Sequence, residues 1–320
     1  MMIIMISVII IDFLSAKRTY QYINEYIDRV SEESTFVIVD NSEDRTNFDM
    51  LCGFLGKMDA CKSNEVCFRY RQHDVLLIQS LGNIGFAKGN NLGAEKAIEM
   101  FNPEYILFSN NDIRFTEEFT IKPLMQVLQQ EEDVVMVGPK VIGLDGKQQS
   151  PNRYVPIGER YIYHNILWPF DSKLPFLHKY VNIMHDEIID APTGYVYQIL
   201  GAFFMVDRKK FEEIGMFDAY TFLYAEEEIL SERAAKHGYK VYYISDVTIV
   251  HEQGATTGNL NDSIQKEVQI TKWLLDSEMY YYRTYRGYSK VMEIFCRAAT
   301  SFYIWKRKCM TNIKKGKKEK

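Results

Sequence analysis

Short apolar runs alternate with stretches of helical spacing through the first third of the chain. The runs IIMISVIII, TFVIVD, DVLLIQS and EYILFSNND have the length of single strands and end in polar residues. Between them, KRTYQYINEYIDRV and GFAKGNNLGAEKAIEMF carry apolar residues at the three- and four-residue intervals of a helix. This alternation predicts parallel β-α-β units, with a sheet that is buried on both faces.

The pattern is less regular from about residue 116 to residue 195. Five of the eight prolines lie between residues 151 and 192, among many aromatic residues. This stretch predicts either a substrate-specific flap or an irregular segment that only packs on the rest of the protein. Beyond it, YVYQILGAFFMVD and YKVYYIS predict strands, and EEEILSERAAKHG predicts a helix with Gly238 just past its end. Helical, amphipathic spacing continues from about residue 262.

Charge is unevenly distributed along the 320 residues. The net charge of −5 argues against nucleic acid as the main partner. Residues 306–320 hold eight Lys and Arg against Glu319 alone, a local charge of about +7, which leaves about −12 for the rest. A basic end on an acidic body suggests an anionic surface as its target.

The cysteines and the N-terminal apolar run indicate the cellular compartment that we expect for the protein. Five cysteines without a C-x-x-C pair indicate neither a zinc site nor a disulfide framework, so we expect reduced thiols. The apolar run MMIIMISVII ends at Asp12 and lacks a basic region and a cleavage site, which favours a buried strand over a signal peptide. No later apolar segment is long enough to span a bilayer. We therefore expect a cytoplasmic protein.

Polar side chains follow the predicted strands. Asp12, Asp40 and the segment 110–112 (NND) each come directly after an apolar run. Ligands of parallel sheets bind beyond the carboxyl ends of the strands, so we expect the site there. Asp40 is suited to accept a hydrogen bond from a nucleobase N–H, although a strand-end Asp also commonly caps a turn.

Two further residues are candidate metal ligands. Asp112 could hold a divalent cation while diphosphate oxygens fill other coordination positions. His251, which follows VTIV, could be a second ligand, and a structural histidine is the alternative.

The glycine-rich segment LGNIGFAKGNN excludes two common nucleotide-binding motifs. It matches neither G-x-G-x-x-G nor G-x-x-x-x-G-K-[ST], which disfavours a dehydrogenase and a P-loop NTPase. Its glycines either let the backbone approach a ligand closely or simply turn a strand into a helix.

Three consecutive glutamates in FLYAEEEILSER follow an apolar and aromatic segment. The helix dipole favours acids in a first turn, which accounts for one or two of them. Packing beside Tyr224 and mutual repulsion would raise the pKa of a carboxylate, as a base for a hydroxyl proton requires. We favour Glu227 as this base; Glu226, Glu228 or a purely structural helix start are the alternatives.

The order of these motifs carries a resemblance to a known family. VIVDNSED, LGNIGFAKGNN, ILFSNNDI and residues 201–251 together resemble the family-2 inverting glycosyltransferases of the GT-A fold. The resemblance is strongest to the rhamnosyltransferase-like branch of capsular or O-antigen polysaccharide synthesis, and it covers roughly residues 3–255.

The resemblance implies a role for eight residues. Those that would bind the nucleotide-sugar donor are Asp40, Asn83, Gly85, Asn90 and Asn111. Asp112 and His251 would hold a divalent cation, Mg²⁺ or Mn²⁺, and Glu227 would be the general base. Three departures from the family pattern are Glu227, where Asp is usual, Asn110, where the metal motif has an acid, and the end of the first strand, IIDF, where Tyr-Asn is usual.

The resemblance also implies a fold and a reaction. It implies a mostly parallel nucleotide-binding sheet flanked by helices. Residues 1–115 would bind the donor, residues 116–260 would bind the acceptor and catalyse, and residues 261–320 would form a helical extension with a basic tail. The implied reaction moves a sugar from a UDP- or dTDP-linked donor to a glycan or glycolipid hydroxyl, by single displacement.

Two other functions remain open. The missing acid at Asn110 gives some weight to a non-catalytic subunit of a glycan-assembly complex. A nucleotidyltransferase is disfavoured because IDFLSAKRT contains no glycine.

The C-terminal extension also allows two structures. In KVMEIFCRAATSFYIWKRK the apolar residues fall broadly on one side, followed by lysines. This pattern predicts an interfacial helix on the inner face of the plasma membrane, or a helix that packs back on the enzyme.

Overall fold

One mixed sheet forms the centre of the molecule in the computed structural model, which describes residues 5–56, 60–62, 64–153, 190–252 and 264–318. Its strands are β1 Ile6–Asp12, β2 Ser34–Asp40, β3 Ala60–Lys62, β4 Glu65–Tyr70, β5 His73–Gln79, β6 Tyr105–Ser109, β7 Ile113–Phe115, β8 Val134–Gly143, β9 Gln148–Ser150, β10 Gly194–Val196, β11 Phe203–Asp207 and β12 Lys240–His251. The helices are α1 Ala16–Arg29, α2 Thr46–Leu55, α3 Phe86–Phe101, α4 Lys122–Gln130, α5 Arg208–Glu213, α6 Glu226–Lys236, α7 Ile264–Tyr285 and α8 Lys290–Lys318.

The strand order brings the carboxyl ends of the predicted strands to one edge of the sheet. The order is β10-β12-β8-β11-β6-β1-β2-β5-β4-β3, with β7 paired to β12 and β9 to β8. Strands β6, β1, β2 and β5 are parallel neighbours, and Asp12 lies in register with Asp40. Because β11 is antiparallel to both β6 and β8, strands β8 and β12 run in the same direction as β1. The predicted α/β arrangement with a mostly parallel central sheet is confirmed.

Helices cover both faces of the sheet. On one face α1 buries Tyr22, Ile23 and Tyr26 against the strands, at the spacing that its sequence predicted. On the other face α3 packs through small residues. A Cβ atom at Gly93 would lie 2.6 Å from Ile9 Cγ2, so glycine allows α3 to approach β1 closely.

Strand β8 lies in the stretch that the sequence pattern left irregular. Its run VVMVGPKVIG contains Gly138 and Pro139, which normally interrupt a strand. Pro139 pairs with Ile244 of β12, directly before a register shift between Ile244 and Thr248. At this register shift the sheet can accommodate a proline. Most of the predicted flap lies outside the described residues.

The expectation of wholly reduced thiols is wrong at one position. Cys67 on β4 is disulfide-bonded, whereas Cys52, Cys296 and Cys309 are free. The sequence reveals cysteine pairs with C-x-x-C spacing, but it does not reveal a pair of cysteines that only the folded structure brings together.

The C-terminal helices α7 and α8 form an antiparallel pair that packs on the start of α6. Ion pairs join Arg297 to Asp276 and Arg307 to Glu267. One face of α8 is buried, as packing on the rest of the protein requires, and the opposite face exposes the apolar stripe, for which membrane contact stays a prediction. No helix within the described ranges combines the length and apolarity that a bilayer crossing needs.

Candidate active site

A cavity of about 420 Å³ opens at the carboxyl edge of the parallel strands. One wall comes from the ends of β1, β2 and β6 and from the loop between β5 and α3: Ile11, Phe13, Asn41, Asn83, Gly85, Phe86, Asn110 and Asn111. The other wall comes from the loop before α6 and from α7: Phe222, Leu223, Lys266, Gln269, Ile270 and Trp273. The cavity therefore brings together three of the predicted donor-binding residues, namely Asn83, Gly85 and Asn111.

Asp40 lies beside this cavity, in a buried network with Asp12. Asn47 Nδ2 donates to Asp12 Oδ1 at 2.7 Å and to Asp40 Oδ1 at 2.9 Å, so that one amide bridges two carboxylates. Burial raises the pKa of Asp12, while hydrogen bonds from Thr19 and Ser15 oppose the rise. Asp40 Oδ2 is buried without a hydrogen-bond partner among the described residues. A buried carboxylate oxygen without a partner is suited to accept a hydrogen bond from an N–H group of a ligand.

The glycine-rich loop holds the two walls together. Gly85 has φ +86°, and a Cβ atom there would overlap the carbonyl oxygen of Phe222. The next residue, Phe86, donates its N–H to that same oxygen at 2.9 Å. Asn83 Oδ1 accepts from Gly85 N, and Asn41 Nδ2 donates to Gly85 O. Glycine is thus required at position 85 by both its conformation and its close contact.

Asn90 lies in α3 and does not line the cavity. It is 2% exposed, and its Nδ2 donates to Phe86 O at 3.1 Å within the same helix. The structure thus places it behind the cavity wall, where it supports the first turns of α3.

Asp112 and His251 meet at the end of β12. Asp112 Oδ1 lies 3.3 Å from His251 Nε2, and both side chains are less than a tenth exposed. His251 Nδ1 donates to Gln149 Oε1 at 2.8 Å, which leaves Nε2 facing the carboxylate. Asp112 Oδ1 is buried and has no hydrogen-bond partner within the described ranges. Two electron-pair donors that face one another fit a shared cation.

As a candidate metal site, this pair is incomplete. The described residues contain no group of three or more His, Cys, Asp or Glu arranged to hold a metal ion. A cation held by Asp112 and His251 would therefore keep positions open for other oxygen ligands, as Mg²⁺ does when it binds phosphates. The neighbouring Asn111 is hydrogen-bonded away from this pair, since its Nδ2 donates to Ser15 Oγ and Thr19 Oγ1.

The glutamate run begins α6 and is far from solvated. Glu226 is 5% exposed, and its Oε1 has no partner among the described residues. Burial, and then the charge of Glu227, raise the pKa of Glu226 well above its ordinary value. Glu227 accepts the N–H of Gly201 at 2.9 Å. Burial and the neighbouring Glu228 raise the pKa of Glu227 to about 7.

A close approach fixes the position of Glu227. A Cβ atom on Gly201 would overlap the carboxylate of Glu227, so this site tolerates only glycine without displacement. The next residue, Ala202, accepts the N–H of Asn110 at 2.8 Å, and Asn110 lines the cavity. Glu227 is thereby connected to the cavity wall through the backbone of residues 201–202.

The backbone before α6 is strained. Tyr224 and Ala225 have φ values of 75° and 65°, in the left-handed region that residues with side chains rarely occupy. Such residues cost about 1–3 kcal/mol each and persist where the surroundings hold them. Here Ser277 of α7 donates to Leu223 O at 2.8 Å, just before the strained pair.

Sequence reasoning missed the residues that α7 contributes. Trp273 packs on Phe222 with ring centroids 4.7 Å apart, and both rings line the cavity. Lys266 and Gln269 lie on the same wall. No motif marked them, because α7 follows the last motif of the resemblance and its helical spacing suggested only packing or membrane contact.

Comparison with known proteins agrees with this fold. The chain is 24% identical to the "Low-salt glycan biosynthesis hexosyltransferase Agl10" of Haloferax volcanii, over 81% of this chain and 71% of that protein. It is 25% identical to an N-acetylglucosaminyl-diphospho-decaprenol L-rhamnosyltransferase of Mycobacterium tuberculosis, over 59% of this chain and 62% of that protein.

The crystal structure of GalNAc-T7 with UDP, GalNAc and Mn²⁺ superposes with a TM-score of 0.54 at 12% identity, over 95% of this chain and 56% of that one. No protein-family profile matches the chain. The fold and these relatives confirm the resemblance found in the motifs: the chain is a glycosyltransferase of the GT-A fold, similar to hexosyl- and rhamnosyltransferases.

Proposed function

We propose that the chain transfers a sugar from a UDP- or dTDP-linked donor to a hydroxyl group of a glycan or glycolipid in surface polysaccharide synthesis, with inversion. The observation that carries the proposal is the Glu227 carboxylate, whose pKa is raised to about 7 and which is connected to the cavity wall. The named relatives, one in glycan biosynthesis and one acting on a decaprenol-linked substrate, support this class of acceptor.

The chemistry requires one base and no enzyme nucleophile. The acceptor oxygen bonds to the anomeric carbon while the bond from that carbon to the diphosphate oxygen breaks. The electron pair of the broken bond leaves with the nucleoside diphosphate, and Glu227 takes the acceptor proton. A base with a pKa near the working pH is about half ionised and still binds the proton well, which is the optimum for general base catalysis.

The remaining predicted residues would bind the donor. In this proposal Asp40 accepts from the nucleobase, while Asn83, Gly85, Asn111 and, from behind the wall, Asn90 shape the cavity for the donor. Asp112 and His251 would hold Mg²⁺ or Mn²⁺, and a bound cation would stabilise the charge of the leaving diphosphate.

A nucleotide screen tests the proposal. UDP, dTDP, GDP and CMP are added with and without Mn²⁺ or Mg²⁺ to the wild type and to Asp112→Ala, and thermal stability and binding heats are measured. We expect one uridine or thymidine diphosphate to stabilise the wild type in a metal-dependent manner that the variant loses. If no nucleotide binds the wild type, the proposal is refuted; transfer from the matching sugar donor is assayed next.

We further propose that α8 lies on an anionic membrane surface. Five large apolar side chains on one side of α8 are 40–61% exposed: Val291, Ile294, Phe295, Phe302 and Trp305. The basic tail follows them, and an apolar face flanked by lysines is typical of interfacial helices. Arg307 bonds to Glu267 in the first turn of α7, so the basic end of α8 lies beside the cavity wall. A lipid-linked acceptor would thus be presented close to the cavity.

Vesicle sedimentation tests the membrane proposal. We expect the wild type to sediment with vesicles rich in phosphatidylglycerol and much less with phosphatidylcholine vesicles. The double variant Phe295→Ser/Trp305→Ser should stay in the supernatant. Met50→Ser, which changes a side chain 46% exposed on α2, is the matched control. Equal sedimentation of all three proteins would refute the role of the stripe.

A further inference from the structure

The lining of the cavity is rich in side-chain amides, and one of them carries an acceptor atom without a partner. Asn41, directly after β2, lines the cavity and is 2% exposed. Its Oδ1 atom is buried and has no hydrogen-bond partner among the residues that the structure describes. Folded proteins pair most buried polar atoms, because an unpaired atom loses its hydration without compensation. Asn41 Oδ1 is therefore a candidate contact for a ligand in the cavity.

The orientation of this amide is fixed by its neighbours. Asn41 Nδ2 donates to Gly85 O at 3.1 Å, and a flipped amide would place Oδ1 against that carbonyl oxygen, where neither atom could donate. The backbone N–H of Asn41 donates to Asp12 O at 2.8 Å. The amide also lies close to α3, since a Cβ atom at Gly89 would lie 3.1 Å from Nδ2. Oδ1 is thus the end of the amide that remains for a ligand, and it can only accept.

An acceptor of this kind selects one part of a nucleotide sugar. An ionised diphosphate offers acceptor oxygens, whereas the nucleoside offers an N–H group on the base and O–H groups on the ribose. Asp40 precedes Asn41, and its Oδ2 atom also lacks a hydrogen-bond partner within the described ranges. Because the Cα atoms of neighbouring residues are about 3.8 Å apart, both acceptors at the end of β2 are placed for the same part of a ligand.

We infer that Asn41 is a binding residue of the donor site, and that its Oδ1 atom accepts a hydrogen bond from an O–H or N–H group of the nucleoside. This inference rests on the proposed function, because it assigns a further contact to the same donor. The group that donates is a ribose hydroxyl or the imide N–H of the base, and analogues that lack one or the other distinguish the two.

Isothermal titration of the full chain with matched analogues tests the inference. UDP is compared with its 2′-deoxy and 3′-deoxy analogues, which lack a ribose hydroxyl, and with 3-methyl-UDP, which lacks the base N–H. If dTDP binds more tightly than UDP, its 3′-deoxy and 3-methyl analogues are used. The proteins are the wild type, Asn41→Ala and Asn24→Ala, each with Mg²⁺. Asn24 is the matched control, because its amide on α1 donates to Tyr20 O and accepts from Tyr70 without lining the cavity.

The inference predicts a change in discrimination between ligands. The wild type should bind at least one analogue about fivefold or more weakly than the parent diphosphate, since leaving a buried polar group unpaired has a cost of this size. Asn41→Ala should lose the discrimination against a single kind of analogue, which identifies the group that donates to Oδ1. Asn24→Ala should discriminate as the wild type does.

This comparison separates direct binding from a structural role of Asn41. Loss of the bond to Gly85 alone would weaken the parent diphosphate and all analogues by the same factor. Asn41→Ser, which keeps a hydroxyl donor and lacks the amide oxygen, is titrated in the same way in case Asn41→Ala does not fold. Wild-type discrimination in these variants would overturn the assignment and leave the proposed function intact. Absence of UDP and dTDP binding by the wild type would overturn both, so the two failures are distinguishable.

Discussion

Replacing Glu227 by glutamine should make the protein more stable and inactive at the same time. The carboxylate of Glu227 is partly buried beside Glu226 and Glu228, and its pKa is raised to about 7. A glutamine of the same shape keeps the acceptor oxygen that receives the N–H of Gly201. It removes the buried negative charge and with it the proposed base.

The size of the effect follows from the pKa. Raising the pKa of a glutamate from 4.5 to about 7 corresponds to about 3 kcal/mol at alkaline pH, at 1.36 kcal/mol per pKa unit. Partial exposure of Glu227 reduces this, and we expect a gain of about 1–2 kcal/mol in the free energy of unfolding at pH 8. Unfolding entropy of about 2.1 cal/mol/K per residue over 320 residues converts this into roughly 1.5–3 °C.

The sign of the pH dependence is a stronger test than the magnitude. Because the folded pKa of Glu227 lies above the unfolded value, its stability contribution is complete below about pH 4.5 and is lost as the pH rises to about 7. Thermal unfolding is therefore measured from pH 5 to pH 8 for the wild type, Glu227→Gln and the exposed control Glu118→Gln. The advantage of Glu227→Gln should grow with pH, and the control should show none.

Activity is measured on the same proteins, once the donor is known. Transfer by the wild type should rise with pH through about 7, as the base ionises, and Glu227→Gln should lose about 10²- to 10⁴-fold. A Glu227→Gln protein with wild-type turnover, or one that is less stable than the wild type at pH 8, would refute the assignment of a desolvated base at this position.

Three further substitutions test the surroundings of the base and the metal pair. Gly201→Ala should displace the carboxylate of Glu227 and lower kcat at least tenfold, with the overall fold unchanged by circular dichroism. Glu228→Gln should lower the pKa of Glu227 and move the rise of the pH–rate profile to lower pH, because the charge of Glu228 contributes to that pKa. Asp112→Asn should abolish the additional thermal stabilisation that Mn²⁺ gives with a nucleoside diphosphate, while stability without metal stays within about 1 kcal/mol of the wild type.

The parallel half of the sheet could be predicted because its signals are local. An apolar run of strand length followed by an acid marks β1 and β2, and the structure pairs Asp12 with Asp40 in register at their ends. The start of α6 was equally clear from its three acids. In each case the residues that decide the structure lie within a few positions of one another.

The parts that could not be predicted depend on distant partners. Strand β8 contains Pro139, which is tolerated only because β12 shifts register opposite it. Similarly, nothing near Trp273 or Lys266 indicates a binding site. They line the cavity because α7 packs on the loop before α6, through contacts such as Ser277 to Leu223. Packing between segments that are far apart in sequence leaves no periodic pattern of residues in either segment, so the sequence does not reveal it.

The same packing connects the proposed membrane surface to α6, the helix that carries the proposed base. Ala225 and Ile229, at the start of α6, are buried in one cluster with Met279 of α7 and Cys296 of α8. Cys296 lies on the buried face of α8, next to the exposed Phe295. The strained backbone that presents Glu227 is therefore supported by the helix pair whose outer side carries the apolar stripe. Since one small cluster joins these elements, α7 and α8 support both the wall of the cavity and the strained segment that precedes Glu227.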